Sequence, residues 1–383
     1  MPPPTEPEID AVLSNISSTL ASTDFTCTSI VQLSGGTTSF VFRGYLARPF
    51  WNNTSAIIKY AAPFTSCNKD FPIDDARAEF EELILSDIHG GSVIKSGHDR
   101  EYEEGEIEVR TPTLWYYNRP KRLLVFEDFP DTVTLKEALF TLDRVLTAST
   151  GRILGAWLKR FHEWTSAPGR EYLTGIFVKN QEIRRLKQKI TYSAFIPMLE
   201  NFPEVLQPHR KTLELIQANI GNEFESPRAE VQGEDFGVIH GDFWAGNVLT
   251  ASNSSTPSLV VIDWEFTQVS HRSVDLGQML GDLYERHHYH HTSSTPCHCF
   301  SMISSFISGY GPVSEELAFR TVIHAGVHLV CWATRGAPGF WRTWRQEQVI
   351  EGMKTGVEWI VNGWERNRDW FDGTVLAGLF KRN

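Results

Sequence analysis

The segment VIHGDFWAGNVLT (238–250), followed by LVVIDWEF (259–266), constrains this chain more than anything else in its 383 residues. Two apolar β-like runs, 248–249 and 259–262, flank a Ser/Asn/Pro turn at 252–258, so they should pair as a hairpin. Such a hairpin carries Asp242, Asn247 and Asp263 at the two ends of one small sheet. A carboxylate, an amide five residues on and a second carboxylate past the return strand suit a metal–phosphate site, because Mg²⁺ takes oxygen ligands and shares them with phosphate. Asp242, free of metal duty, can accept or orient the proton of an attacking hydroxyl.

Length and composition agree with a globular host for that chemistry. Hydrophobic residues make up 41%, aromatics 12% and charged residues 22%, which is ordinary globular usage. A chain this long buries a sizeable core without staples. Its 36 Lys and Arg against 47 Asp and Glu leave a formal net charge of −11. That acidity argues against a nucleic-acid partner, whose binding relies on Lys and Arg, and it is compatible with a cationic substrate. Cys27, Cys67, Cys297, Cys299 and Cys331 are odd in number and scattered, which speaks against a disulfide framework. The stretch MPPPTEPEIDAVL lacks the basic and apolar regions of a secretory leader. No run approaches about 18 apolar residues, so no membrane partner is expected. The expectation is a cytoplasmic protein.

Along the chain, residues 1–24 read as a Pro-rich tip (1–7) and a short helix, with Ile9, Val12, Leu13, Ile16 and Leu20 at helical spacing. Residues 25–129 read as a small β-rich lobe. SIVQLSGGTTSFVFRGYL supplies two strands around a Gly-Gly turn, AIIKYA a buried strand with one Lys inside it, and TPTLWYY and RLLVFEDF two more. The one helix of this part is DDARAEFEELILSDI. From 130 to 383 the texture is helical, at 154–164, 183–199, 211–220, 276–285, 317–332 and 348–364, interrupted by the hairpin region 238–266. A small β-rich lobe followed by a larger, mainly helical lobe is an α+β bilobal pattern.

Asp followed by Asn at the fifth position is the spacing of a kinase catalytic loop. Gly241 stands where regulated protein kinases carry the Arg before that Asp, and Trp264-Glu265 follow Asp263 where they carry Phe-Gly. HGDFWAGN, VIDWE and SVDLGQML resemble the aminoglycoside phosphotransferase / choline kinase-like family. The closer likeness is to its methylthioribose-kinase-like and fungal small-molecule kinase branch, over roughly residues 30–360. The resemblance implies a bilobal protein-kinase-like fold that uses ATP and Mg²⁺ to phosphorylate a small-molecule hydroxyl, with an amine among the acceptor classes. It implies that Asp242 is the catalytic base and that Asn247 and Asp263 are the Mg²⁺ ligands. It implies that Asp275 is a structural acid at a helix start, and the position of Asp275 alone reads as an N-cap.

The upstream residues fit that frame. Ser34, Gly35, Gly36, Thr37 and Thr38 lie between two strands, where backbone N–H groups can cradle phosphates. Lys59 sits inside a strand and needs a partner, because an unpaired buried ammonium is costly. Glu79 on the next helix is the partner the resemblance implies, with Glu81 and Glu82 as competitors. Backbone groups of Glu127, Asp128 and Phe129, at the end of the β-rich part, are assigned to the adenine edge. Trp244, Glu265 and Trp332 are assigned to the acceptor, since aromatic rings can enclose an amine.

Two rival functions compete with the small-molecule kinase: a catalytically silent nucleotide-binding scaffold and a protein Ser/Thr kinase. The retained Asp242, Asn247 and Asp263 speak against the first, and Gly241 and the missing Phe-Gly against the second. HHYHH (287–291) with Cys297-His298-Cys299 is metal-like in composition but lacks the paired spacing of zinc sites, and reads as a loop. His324 and His328 read as core histidines, His162 as structural, and EYEEGEIE (101–108) as a solvated turn.

Overall fold

The computed structural model describes residues 4–33, 36–90, 108–225, 235–251, 258–292, 297–332 and 344–381. They fall into two compact units. The first draws on 1–93, 110–132 and 261–266, the second on 133–260 and 267–383 together with 108–109. The return segment 261–266, expected with the helical part, thus groups with the β-rich unit.

In the first unit, helix α1 (Glu6–Leu20) precedes strands β1 (Cys27–Gln32), β2 (Phe40–Phe50) and β3 (Asn53–Tyr60). Helix α2 (Arg77–Gly90) and strands β4 (Leu114–Asn118) and β5 (Leu123–Glu127) follow. The strands form one sheet in the order β1-β2-β3-β5-β4, and each neighbouring pair is antiparallel. Helix α1 starts at Glu6, inside the stretch read as a Pro-rich tip. The reason is local: the Glu8 carboxylate accepts the Thr5 backbone N–H at 2.7 Å, half of a capping box, and Pro7 falls in the first turn, where its missing N–H costs nothing. Ile16 and Leu20 of α1 join Phe40, Phe42, Ile58 and Val125 in the core beneath the sheet.

The second unit is mainly helical. Helices α3 (Arg144–Thr165), α4 (Gln181–Ile190) and α5 (Arg210–Glu225) lead into strands β6 (Phe236–Ile239), β7 (Val248–Ala251), β8 (Leu259–Val261) and β9 (Gln268–His271). Helices α6 (Ser273–His290), α7 (Cys299–Tyr310), α8 (Glu315–Trp332) and α9 (Gln346–Trp364) complete it. The stretch 183–199, expected as one helix, is two, because α4 ends at Ile190 and a short helix resumes at Phe195–Leu199. Strand β6 pairs antiparallel with β9, and β7 and β8 are hydrogen-bonded neighbours in a second sheet.

Small residues let these helices approach closely. A Cβ at Gly155 would lie 2.1 Å from the Phe306 carbonyl oxygen, so α3 and α7 meet backbone to backbone there. His287, His288 and His290 of the histidine run belong to the last turn of α6 and not to a loop. Cys297 and Cys299 are disulfide-bonded, a local link across two residues, and Cys27, Cys67 and Cys331 are outside any disulfide.

Candidate active site

In the first unit the site is built around Lys59, on the middle strand of the sheet, opposite Val41 on one side and Leu124 on the other. Its ammonium is buried and faces three carboxylates: Asp263 at 2.5 Å, Glu81 at 2.8 Å and Glu265 at 3.5 Å. Burial alone would pull this lysine down, but Asp263, Glu265 and Glu81 outweigh it and hold the ammonium charged well above the usual lysine range.

The expected Lys59–Glu79 pair does not form. Glu79 and Glu81 are two residues apart on α2, about 200° around a helix, so they face opposite ways. Glu81 turns to the sheet, where its other oxygen accepts the Trp264 backbone N–H at 3.2 Å. Glu79 turns outward to Arg122 and, at 3.7 Å, Arg119.

Glu265 does not reach an acceptor. Its fully buried carboxylate accepts hydrogen bonds from Arg77 Nε at 3.0 Å, Ser39 Oγ at 2.7 Å and Thr38 Oγ1. Arg77 is itself fully buried and also donates to the carbonyls of Ala62 (2.9 Å) and Asp74 (2.8 Å). The Arg77 and Lys59 charges hold Glu265 down at about 2 against the effect of burial. Glu81 has no such set of donors, and burial pushes its carboxyl up to about 7 despite Lys59.

Of the 34–38 loop, Ser34 and Gly35 lie outside the described residues, as do residues 101–107 of the acidic run. The Gly36, Thr37 and Thr38 carbonyls accept hydrogen bonds from Ser66 Oγ (2.8 Å), Cys67 N (3.4 Å) and Ser66 N (3.3 Å). A Cβ at Gly36 would sit 2.7 Å from the Ser39 carbonyl oxygen, so only glycine permits this approach.

At the end of β5, Asp128 accepts both Arg43 Nε (2.7 Å) and Ser55 Oγ (2.6 Å). Glu127 Oε2 accepts Thr113 Oγ1 at 3.0 Å, and the Arg110 guanidinium stacks 4.9 Å from the Phe129 ring centroid. These side chains are committed to the scaffold.

Asp263 has φ 68°, a left-handed conformation that a non-glycine residue adopts at a cost. Such strain gathers where a side chain must be aimed.

In the second unit the turn after β6 presents Asp242. Gly241 has φ 83°, which favours glycine and accounts for the residue standing before Asp242. Asp275 braces this turn. Its two oxygens accept the backbone N–H groups of His240 (2.9 Å) and Gly241 (2.8 Å), and Oδ2 also contacts His162 Nε2 at 3.0 Å. An ionised Asp275 accepts the hydrogen bond of His162 Nε2–H, so His162 Nδ1 accepts from Tyr310 Oη at 2.9 Å. Asp275 is therefore not the expected N-cap: the chain enters α6 at Arg272, and the carboxylate serves another loop. Burial would raise Asp275, but the hydrogen bonds from His162 and the Gly241 backbone keep it below the usual carboxylate range.

Asp242 is held on both oxygens. Asn247 Nδ2 donates to Asp242 Oδ2 and to its backbone carbonyl, both at 2.9 Å, which turns the Asn247 amide oxygen away from Asp242. Gln278 Nε2 donates to Asp242 Oδ1 at 2.7 Å, and Lys187 Nζ lies 3.4 Å from the same oxygen. Trp244 lies within 5.8 Å of the Lys136 ammonium and 5.9 Å of the Arg286 guanidinium. Its ring also packs over Gly246, where a Cβ would meet ring carbons at 2.4 Å. Trp332 stacks on His328 at 4.9 Å and lies 5.9 Å from Lys187.

Sequence reasoning missed Arg77, Lys187 and Gln278. Two of them left a faint signal. Lys187 stands four residues after buried Ile183, on the inner face of α4, and Gln278 stands three after Asp275 on α6.

The family model of the phosphotransferase enzyme family (APH) matches residues 109–291, which include Asp242, Asn247 and Asp263. Over those residues the chain is similar to that family. The likeness to curated proteins runs the full length. The phosphotransferase FrzJ of Cladobotryum sp is 26% identical over 391 residues, covering 99% of this chain and 98% of that one. The 4-hydroxytryptamine kinase of Psilocybe cyanescens is 24% identical over 378 residues, covering 94% and 93%. Among solved structures, a choline/ethanolamine kinase family protein from Mesorhizobium loti superposes with a TM-score of 0.48 at 11% identity, covering 96% and 98%. The chain is a small-molecule kinase of the phosphotransferase class. No helix is long and apolar enough to cross a membrane among the described residues.

Proposed function

We propose that this kinase transfers the γ-phosphoryl group of ATP to a hydroxyl of a small, amine-bearing acceptor, with Asp242 receiving or orienting the hydroxyl proton. The observation that carries the reading is the fixed Asp242 carboxylate. Asn247 and Gln278 hold its two oxygens, and the backbone beneath it is pinned by Asp275. A carboxylate so restrained loses little orientational freedom when an acceptor arrives. Because Asp242 keeps part of its side chain exposed, an acceptor hydroxyl can reach it.

Lys59 is assigned to the α- and β-phosphates of ATP, steadied by Glu81. The loop at 34–38 and the backbone of 127–129 are assigned to the phosphates and the adenine edge. Asn247 and Asp263 are assigned to Mg²⁺, and their chemistry fits it: an amide oxygen turned away from Asp242 and a carboxylate aimed by a left-handed backbone are hard oxygen donors. When bound, Mg²⁺ neutralises the developing negative charge on the phosphates. The amine-bearing acceptor is supported by the chain's net charge of −11 and by a relative that is a 4-hydroxytryptamine kinase. Trp332 and Trp244 remain the aromatic side chains assigned to it.

The test is transfer of labelled γ-phosphate from ATP to 4-hydroxytryptamine, choline and gentamicin, with Asp242→Ala as the blank. Labelled small-molecule product with wild type alone is the expected result. Equal transfer by Asp242→Ala would sink the role given to Asp242, and label confined to protein would favour a protein kinase.

A further inference from the structure

We infer that Lys187 is a positioning residue for phosphoryl transfer, supplied by helix α4 from outside the catalytic loop and acting on Asp242 through Gln278. The inference rests on the role proposed above for Asp242. Lys187 is fully buried, and a buried ammonium is costly unless it is paired and hydrogen-bonded. Its Nζ donates to Gln278 Oε1 and lies 3.4 Å from Asp242 Oδ1. The Trp332 ring lies 5.9 Å from the same ammonium.

Hydrogen-bond chemistry gives this triangle a single sense. An ammonium has donors only, and an ionised carboxylate has acceptors only. Gln278, which touches both, must turn its carbonyl to Lys187 and its NH₂ to Asp242. Without Lys187 the Gln278 amide oxygen loses the donor that anchors it, and the amide holds Asp242 Oδ1 less firmly. Lys187 thus fixes the direction of the Gln278 amide, and the amide fixes Asp242 Oδ1. Asn247 holds Oδ2 independently, so loss of Lys187 loosens Asp242 without freeing it.

The consequence is kinetic. Lys187 contacts Asp242 and Gln278, neither of them assigned to ATP, so its removal should lower kcat and leave ATP binding in place. Misplacing a reacting group by about 1 Å costs up to about 100-fold, so a partly loosened Asp242 predicts a loss of about 10- to 100-fold. The experiment measures kcat and the KM for ATP with the acceptor from the panel above that wild type phosphorylates, together with the thermal shift by Mg-ATP.

Lys187→Met should lower kcat by about 10- to 100-fold with the KM for ATP within about twofold of wild type and the thermal shift retained. In an Asp242→Asn background the same change should alter residual transfer by less than about twofold, because the group it positions is already gone. A folded Lys187→Met enzyme with wild-type kcat overturns the inference, as does an equal loss of rate in the Asp242→Asn background. If Lys187→Met does not fold, Gln278→Leu carries the test: a selective loss of kcat supports the relay, and a wild-type kcat overturns it. Asp242→Asn alone separates the two readings. If it keeps the wild-type rate, the role of Asp242 fails and the relay with it; if it is inactive while Lys187→Met is normal, only the relay fails.

Discussion

In the first unit, Glu81, Asp263 and Glu265 share Lys59, and Arg77 adds a second buried cation on Glu265. In the second unit, Asp242 is approached by one ammonium at 3.4 Å and is otherwise held by the amides of Gln278 and Asn247. The first arrangement neutralises charge by charge; the second fixes a charge largely with neutral donors. The difference follows from the work assigned to each. A lysine that grips phosphates must stay ionised when buried, and neighbouring carboxylates ensure this. A carboxylate that receives a proton must remain reachable, so it is oriented by hydrogen bonds on its flanks and left partly open.

The largest effect should come from the proton-accepting side. Asp242→Asn keeps the shape but removes the charge, and kcat should fall by about 10³- to 10⁴-fold, within the range of general-base losses. Mg-ATP should still raise the melting temperature, as ligand linkage requires if nucleotide binding survives. A variant that loses both would place Asp242 in nucleotide binding and erase the contrast between the units.

Breaking the charge cluster should instead appear as instability. Arg77→Met leaves Glu265 buried beside fewer partners, and such one-sided loss costs about 3–5 kcal/mol. Urea denaturation would register it as a lower midpoint. A midpoint equal to wild type would show that Lys59, Ser39 and Thr38 alone suffice for Glu265.

The pH dependence of the same cluster is the next test. Glu81 titrates higher in the folded chain, about 7, than when unfolded, chiefly through burial. The folded state therefore binds the extra proton between the two values, and stability falls as pH rises through that window, with a slope of at most about 1.4 kcal/mol per pH unit. Glu81→Gln removes this group, so its stability relative to wild type should rise from pH 5 to pH 8, while its KM for ATP increases because Lys59 loses a partner. A constant difference across that range would mean that Glu81 stays ionised in the folded chain.

The smallest effect belongs to the turn beneath Asp242. Gly241→Ala forces a side chain into φ 83°, which should destabilise by about 1 kcal/mol. Its kcat should drop while the KM for ATP stays put, since the turn carries Asp242 and not Lys59. Equal damage to both constants would argue that the strain spreads beyond the turn.

How much of this was legible in the sequence differs from residue to residue. Asp242, Asn247 and Asp263 are tied to one local motif, and Lys59 announced itself as a charge within an apolar strand. The α+β division followed from the change in periodicity near residue 130. The partner of Lys59 was harder, because α2 offers Glu79, Glu81 and Glu82 within four residues and only the phase of the helix against the sheet chooses among them. Glu265 shared a motif with Asp263 and was given the acceptor, yet buried Arg77 claims it. Asp275 looked like a cap because it stands near a helix start, and its partners come from His240, Gly241 and His162.

What the sequence by itself determined is the chemistry available: which acids, amides and cations the chain owns, and the local spacing that puts Asp242 five residues before Asn247. Those follow from covalent order and short-range periodicity. Only the tertiary structure decided the pairings, since Lys187 and Asp242 are 55 residues apart and Arg77 and Glu265 are 188 apart. A buried ion takes whichever partner the packing of helices and strands brings within hydrogen-bond reach, and that choice is written in no single segment.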